Sequence, residues 1–407
     1  MAQAQTKLEP AVVVTDAKNL VKALTQVLLA VNTHSHTPIL ANVKLSADHR
    51  TGKLSITGTD LETRIIAEVP AVGITAGETT VSPKALKEML KGVHGNVRLT
   101  FEADKLSLAS ADDLGWGIGS VTLPTLPAED LPAYPPTDGE RIAAFLAPTD
   151  NVRVAFLKCS KHASDEQARG ATLMSTLLEI KGNAGAAITA TDGYKMGHFQ
   201  IEDAVVRDSF TGDQEKKGTG GKAIVVPVFA RAMMKVLPKA SEVEVSITVK
   251  ANTTYAIAVS DGITVICRCV DGQYPNYEAV YPAKAMISGT VSIPVDEMIA
   301  AVTAAGKVAS DRASLIKLLF LAKGNAVEIN AESETKGKFT RLVAFTEPAP
   351  KPLANDMSIA FNAEYLASCL SSFDDYEQIE ADLHNPLSPL VLANRTGDYC
   401  IIMPLRQ

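Results

Sequence analysis

The sequence has no apolar run long enough to cross a bilayer as a helix, so a membrane-spanning role is not expected. Its first ten residues, MAQAQTKLEP, show no basic segment leading into an apolar core; a signal peptide is not expected, and they read as a short disordered lead. Cysteine is sparse and odd in number: Cys159, Cys267, Cys269, Cys369 and Cys400. Scattered thiols of this kind fit a reducing cytoplasm and exclude a disulfide framework. Histidine is also sparse, seven in 407 residues, and no Ser/His/Asp or Cys/His constellation stands out. Positive charge is in deficit, with a net charge of −7. That argues against a protein that grips nucleic acid with its whole surface, but leaves room for one basic face on an acidic body.

What is present is a globular composition, 46% hydrophobic and 21% charged, on a chain too long for a single core. The chain is organised around Val270–Pro282, VDGQYPNYEAVYP. Its Gln273–Tyr277 (QYPNY) is matched by Asp130–Tyr134 (DLPAY), each with a proline suited to the exit from a sheet. The two exits divide the chain into three similar domains: 1–137, 138–284 and 285–407. Helix starts recur in step with this division. Thr15–Leu24, Thr149–Lys158 and Val295–Ala304 each carry an Asp (Asp16, Asp150, Asp296) in the opening turn, where a carboxylate suits the free N–H groups and the helix dipole. Leu20, Val21, Leu24, Val27 and Leu28 recur at helical spacing. A second set of helix starts lies at Val81–Leu90, Val225–Met234 and Phe361–Leu370, with Pro83 and Pro227 at the first helical position. Strand ends recur as ITGTD (56–60), ITATD (188–192) and INAES (329–333). With period-two alternation over Lys53–Ile56 and Val243–Val249, the expected class is α+β: three domains in tandem, each with two helices packed on antiparallel sheets.

Two segments interrupt the pattern. Asp203–Lys222 is polar and glycine-bearing and reads as a mobile surface loop; Glu347–Leu353 (EPAPKPL) is a proline-rich connection. Gly218–Lys222 (GTGGK) lacks the spacing of a phosphate loop. His34-Ser-His36 has no cysteine or carboxylate at a familiar ligand spacing, so no metal is assigned and contact with phosphate is the preferred role of that loop. Cys267 and Cys269 read as small buried hydrophobes on one strand face. Asp60, Glu62 and Asp192 sit at repeated strand ends beside Thr and Gly, where turn formation explains them. A hydrolase using Asp60 or Asp192 is the enzymatic alternative, but the sequence reads as non-catalytic and without a cofactor.

The basic residues are more informative. Lys84, Lys87 and Lys91 share one face of the second helix, and Arg231, Lys235 and Lys239 repeat the stripe on its counterpart in the second domain. Lys18 and Lys22 place a similar pair on the first helix. A stripe repeated on equivalent helices suggests a basic track that binds phosphates without reading sequence. The third repeat does not supply it, since Ala363–Phe373 has no Lys or Arg. The last residues, Ile401–Gln407, are apolar apart from the final two and are expected to dock, either as a plain final strand or as the rim of an apolar groove.

Six segments in order, TPILANV (37–43), SITGTDLE (55–62), TLPAEDLPAYP (125–135), ATDGYKM (190–196), VDGQYPNYEAVYP (270–282) and MPLR (403–406), resemble the bacterial sliding clamps, the beta subunits of DNA polymerase III. The resemblance runs from about Val12 to Gln407. It implies a clamp fold in which two chains close head to tail into a ring, helices inside and sheets outside. The implied function is that of a cytoplasmic, non-catalytic processivity factor that encircles double-stranded DNA. The implied partners are the DNA polymerase III alpha subunit, a clamp loader, and other polymerases and repair proteins carrying short clamp-binding motifs. Implied contacts to DNA are Lys18, Lys22, His34, Lys84, Lys87, Lys91, Arg231, Lys235 and Lys239. An implied peptide groove between the second and third domains uses Leu173, Thr191, Gly193, Tyr194, Lys195, Met196, Pro275, Val280, Asn362, Tyr365, Leu390, Met403, Pro404, Leu405 and Arg406. Leu173, Met196, Val280, Leu390 and Leu405 would be its apolar walls; Tyr194, Asn362 and Arg406 would orient the peptide. The chain departs from the family at Tyr194-Lys195, where His-Arg is common, at Ala279, where a basic residue is common, and at Gln407, where an apolar residue is common. The alternative that keeps the groove is a monomeric scaffold that never closes on DNA.

Overall fold

The computed structural model describes residues 10–111, 119–207, 221–309, 314–347 and 350–406. The expected lead before Pro10, most of the expected loop over 203–222, and Gln407 lie outside the described residues.

One order of elements occurs three times. The first block is β1 (Ala11–Asp16), α1 (Ala17–Val27), β2 (Val43–Asp48), β3 (Lys53–Thr59), β4 (Thr63–Pro70), β5 (Gly77–Val81), α2 (Pro83–Met89), β6 (Asn96–Phe101), β7 (Lys105–Ser110) and β8 (Val121–Leu126). The second is β9 (Glu140–Pro148), α3 (Thr149–Ser160), a single turn α4 (Ala171–Met174), β10 (Thr176–Ile180), β11 (Ala186–Thr191), β12 (Lys195–Ile201), a short β13 (Val205–Arg207), β14 (Gly221–Val225), α5 (Pro227–Lys235), β15 (Glu242–Lys250), β16 (Thr253–Ser260) and β17 (Ile263–Arg268). The third is β18 (Gly289–Pro294), α6 (Val295–Val308), β19 (Leu315–Leu321), β20 (Ala326–Ser333), β21 (Gly337–Ala344), β22 (Met357–Asn362), α7 (Ala363–Leu370), β23 (Gln378–Leu383), β24 (Leu390–Ala393) and β25 (Tyr399–Ile402).

The helices begin where local chemistry tells them to. Asp16 caps α1, its carboxylate accepting from the Asn19 N–H at 2.9 Å. Ser82 caps α2 ahead of Pro83, whose missing N–H costs nothing at that position. Asn362 caps α7 through the N–H groups of Glu364 and Tyr365. Their ends are less local. α2 stops at Met89 and α5 at Lys235, so Lys91 and Lys239 lie beyond their helices and the two stripes are shorter than expected. Gly92, at φ 75°, turns the chain away after α2. Pro238 disfavours helical backbone in the residue before it, which limits α5.

The chain divides into two compact units, the first taking Met1–Asp150 and Val228–Cys269, the second Asn151–Val206 and Val270–Gln407, with short segments of 207–227 shared out between them. In the first unit, one sheet runs β1-β6-β7-β8-β5-β2-β3-β4-β17-β16-β15-β9, and its paired strands are antiparallel throughout. α1 lies against β3 and β4 and buries Leu20, Leu24 and Val27, each burial stabilising by roughly 1.5–3 kcal/mol. The fit is close at Gly58 of β3, where a Cβ would stand 2.7 Å from Val31 Cγ2 and 2.8 Å from the Val27 carbonyl oxygen.

In the second unit, one sheet runs β14-β10-β11-β12-β25-β24-β23-β18 and another β21-β20-β19-β22. α6 packs on α7, β20 and β21, over a core with Phe199, Phe320, Phe361 and Phe373 fully buried. The final strand, β25, is inserted between β12 and β24, so the chain's apolar end is docked as its composition suggested.

Candidate functional site

In the second unit, the ATDGYK segment forms the turn between β11 and β12. Asp192 Oδ1 accepts from the backbone N–H of Tyr194 (2.8 Å) and of Lys195 (2.9 Å). Thr191 Oγ1 accepts from the Gly193 N–H (3.0 Å) and donates to the Lys195 carbonyl (2.8 Å), while Gly193 takes φ 88°. The corresponding turn of the first block is built alike, with Asp60 Oδ1 accepting from Glu62 N (3.0 Å) and Thr63 N (2.6 Å). Both aspartates are thus engaged in the turns they make, the role their place beside Thr and Gly suggested.

The turn pushes Tyr194 into the open, where its ring stacks on Tyr365 with centroids 5.8 Å apart and planes 14° from parallel. The Arg169 guanidinium covers Tyr194 at 4.5 Å and donates to the Asp192 carbonyl at 2.7 Å. These groups line one side of a polar depression of about 410 Å³ that also includes Lys161, Ser164 and Glu364. The tail closes the site. Lys195 pairs with Ile402 and Met196 with Ile401 across β12 and β25. Beyond the strand, Met403 N donates to Tyr194 O (2.9 Å) and Leu405 N to Ala360 O (2.8 Å). Met403, Pro404 and Leu405 are half-buried and Arg406 is exposed.

Val270–Pro282 packs beneath this surface. Tyr277 is buried with Leu177, Met196, Ile224, Val391 and Ile401, and Tyr274, Val280 and Tyr281 pack against them. The Tyr274 hydroxyl accepts from the Thr191 N–H at 3.2 Å, fixing the root of the turn; the Tyr277 hydroxyl donates to the buried Glu179. Burial alone would raise the Glu179 carboxyl, but hydrogen bonds from Lys222 and Tyr277 outweigh it and hold the group below its ordinary range.

Thr191, Gly193, Tyr194, Lys195, Met196, Val280, Tyr365, Met403 and Leu405 are therefore brought together. Within this set Met196 lies under the surface and Lys195 is buried with its amine on Asp192 (3.4 Å) and the Lys161 carbonyl; Leu390 is buried as well. The Asn362 carboxamide oxygen is committed to the α7 cap. Leu173 is half-buried on α4, its carbonyl accepting from Ser164 N (2.8 Å), and Pro275 is exposed. Arg169 was not among the expected residues; it sits in a polar run with no motif to single it out.

Behind the site, His198 stacks between Tyr277 (5.6 Å) and Tyr399 (4.9 Å), and burial followed by the charge of Lys181 lowers its pKa to about 4. In the unfolded chain the ring titrates near ~6.5. Above that pH both states are neutral and the shift contributes nothing. As pH falls from about 6.5 to 4 the unfolded state takes the proton first, so His198 costs up to about 3 kcal/mol of stability. Urea unfolding at about pH 7 and about pH 4.5 should show this loss, and His198→Gln should lessen it; an equal loss in the variant would assign the acid sensitivity to other groups.

The basic residues gather in the first unit. Lys18 and Lys22 on α1, with Lys91 and His94, surround a depression of about 430 Å³ floored by Val21, Leu90 and Val93. Gln26 Nε2 donates to the Val236 carbonyl at 2.9 Å and ties the end of α1 to the end of α5, which carries the exposed Arg231 and Lys235. Lys84 and Lys239 are exposed, and Lys87 is half-buried. His34 is exposed in the turn after α1, its own N–H held by Asn32 at 3.2 Å. Lys91 pairs with Glu88 at 2.8 Å on the surface, an ion pair worth little.

Two family profiles match the chain: DNA polymerase III beta subunit, N-terminal domain, over residues 13–135, and DNA polymerase III beta subunit, C-terminal domain, over residues 280–406. A beta sliding clamp of Synechococcus elongatus is 24% identical over 380 residues, covering 91% of this chain and 92% of its own. One from Vibrio cholerae is 22% identical over 396 residues, covering 96% and 98%. Among solved structures, a Pseudomonas aeruginosa sliding clamp bound to griselimycin matches with a TM-score of 0.81 at 22% identity, over 98% of this chain and all of that one. The Bacillus subtilis clamp matches with a TM-score of 0.82 at 18% identity, again over 98% of this chain. The thrice-repeated block, the turn-and-tail site and these matches converge on one conclusion: the chain belongs to the DNA polymerase III beta-subunit family.

Proposed function

We propose that two copies of this chain close head to tail into a ring around duplex DNA and tether DNA polymerase III to its template, without catalysing a reaction. The observation that carries this reading is how the sheets continue from block to block. β4, the last strand of the first block's β5-β2-β3-β4 set, pairs antiparallel with β17, the last strand of the second block. β12 pairs in the same way with β25, the last strand of the third. The third block's equivalent, β21, is an edge strand among the described residues. The first block's last strand, β8, pairs with β7 along Val121–Pro124 and with β5 only at Thr125–Leu126, which leaves one side of Val121–Pro124 open among the described residues. β21 of one copy and β8 of another complete the series, and two such junctions close a dimer.

In this reading the domains are 1–137, 138–284 and 285–407, and the basic residues of α1, α2 and α5 face DNA. The Tyr194–Tyr365 surface with its tail-built rim takes the short motifs of the polymerase alpha subunit, the clamp loader and other partners. No helix of the described residues is long and apolar enough to cross a membrane, and we place the chain in the cytoplasm with the replication machinery. Retention on circular duplex DNA through a high-salt column, and release when the circle is cut, tests the ring directly. Equal behaviour on circular and linear DNA would count against it. Replacing Lys87, Lys91, Arg231 and Lys235 together by Ala should lower the slope of log affinity against log salt by about 3–4, near 0.9 for each phosphate no longer neutralised. An unchanged slope would remove these residues from the DNA face.

A further inference from the structure

His162 and Cys400 are 238 residues apart in the chain, yet the Cys400 thiol lies 3.5 Å from His162 Nε2. Cys369 Sγ lies 3.9 Å from the ring's other nitrogen. One ligand atom from each of the three falls within 4.8 Å of the others, and all three residues are fully buried. Cys159, three residues before His162, is fully buried as well. We propose that His162, Cys369 and Cys400, with Cys159 as the fourth ligand, form a structural site for one zinc ion.

The donor set is one imidazole with soft thiols, which suits zinc and not the hard, oxygen-seeking cations. Tetrahedral zinc, with bonds of about 2.3 Å to sulfur and 2.0–2.1 Å to nitrogen, holds its ligands roughly 3.5–3.8 Å apart. The Cys369 thiol, 3.9 Å from Nδ1, is close to that value, and metal binding at Nδ1 would require the Cys400 and Cys159 thiols to rotate toward that nitrogen. The thiols otherwise have weak partners: Cys159 faces the Gly197 carbonyl and Cys400 the Cys369 carbonyl, each at 3.9 Å. With Nδ1 on the metal, the Ser372 hydroxyl 3.0 Å from Nε2 supplies the outer hydrogen bond that fixes the ring. Two thiolates cancel the charge of zinc, and the third is faced by the amines of Lys195, which also pairs with Asp192, and of Lys161, both close enough to act on His162. Room for the ring comes from Gly197, where a Cβ would stand 2.4 Å from His162 Cδ2.

The site joins the end of α3, helix α7 and strand β25, so the metal would pin the strand that leads into the groove's rim. The test is metal content by plasma mass spectrometry on the full chain, purified without chelator from zinc-replete cells. About one zinc per chain is expected in the wild type, and chain produced in cobalt-supplemented medium should show thiolate-to-cobalt charge-transfer absorption. Cys369→Ser and Cys400→Ser should each lose that absorption and fall below about a tenth of an equivalent, while Cys267→Ser keeps both. Wild-type chain with neither zinc nor the cobalt band overturns the proposal whatever the variants do. So does metal retained in full by both Cys369→Ser and Cys400→Ser.

Discussion

Leu342→Asp is expected to turn the dimer into a monomer. Leu342 lies on the edge strand β21 and is 59% exposed in the single chain, so its own fold does not need it. In the proposed ring β21 would meet β8 of the second copy. Covering a leucine there stabilises by roughly 1.5–3 kcal/mol, and an aspartate in its place must also shed water. A head-to-tail dimer has two identical junctions, so one substitution acts twice. The dissociation constant should rise by about 10²–10⁴-fold, at 1.4 kcal/mol per factor of ten. Light scattering at low micromolar concentration should give a mass near 43.1 kDa for the variant and twice that for the wild type, with unchanged circular dichroism. A variant that stays dimeric on dilution would show that β21 is not the seam.

Truncation after Ile402 is expected to abolish binding of a fluorescent peptide of the glutamine-leucine-x-leucine-phenylalanine type, a loss of at least about 100-fold in anisotropy titrations. The cut spares the ladders of β25 to β12 and β24, so the sheet survives. It removes the backbone bonds from Met403 to Tyr194 and from Leu405 to Ala360, which hold the rim in place. It also removes the half-buried side chains of Met403 and Leu405, and two apolar surfaces worth roughly 1.5 kcal/mol each are enough for the stated effect. Undiminished binding by the truncated chain would take the tail out of the site.

All six helix starts expected from the sequence occur, because a cap, a proline or an opening carboxylate acts over one turn. Asp16, Ser82 and Asn362 need nothing beyond their neighbours. The ITGTD and ITATD turns were legible for the same reason. Helix ends were not: α2 has ended at Met89, ahead of the Gly92 turn, and α5 at Lys235, ahead of Pro238, so Lys91 and Lys239 fall outside their helices while the spacing of the lysines continues regardless. The candidate site was legible where it is one continuous turn, from Thr191 to Met196, and where a tail too apolar for solvent demanded a dock. Its electrostatics were not. That Lys195 is buried on Asp192, or that Arg169 covers Tyr194, depends on packing that no local pattern encodes. The meeting of His162, Cys369 and Cys400 depends on three elements from distant parts of the chain, and scattered cysteines gave no sign of it.

The close approach at Gly197 has an evolutionary consequence. Any side chain there would meet both the His162 ring, at 2.4 Å, and Phe199 Cε2, at 2.6 Å. The interior cannot yield that much without losing packing. Positions 162, 197 and 199 should therefore have drifted together: a lineage that gains even an alanine at 197 must first, or at once, change both the imidazole at 162 and the ring at 199.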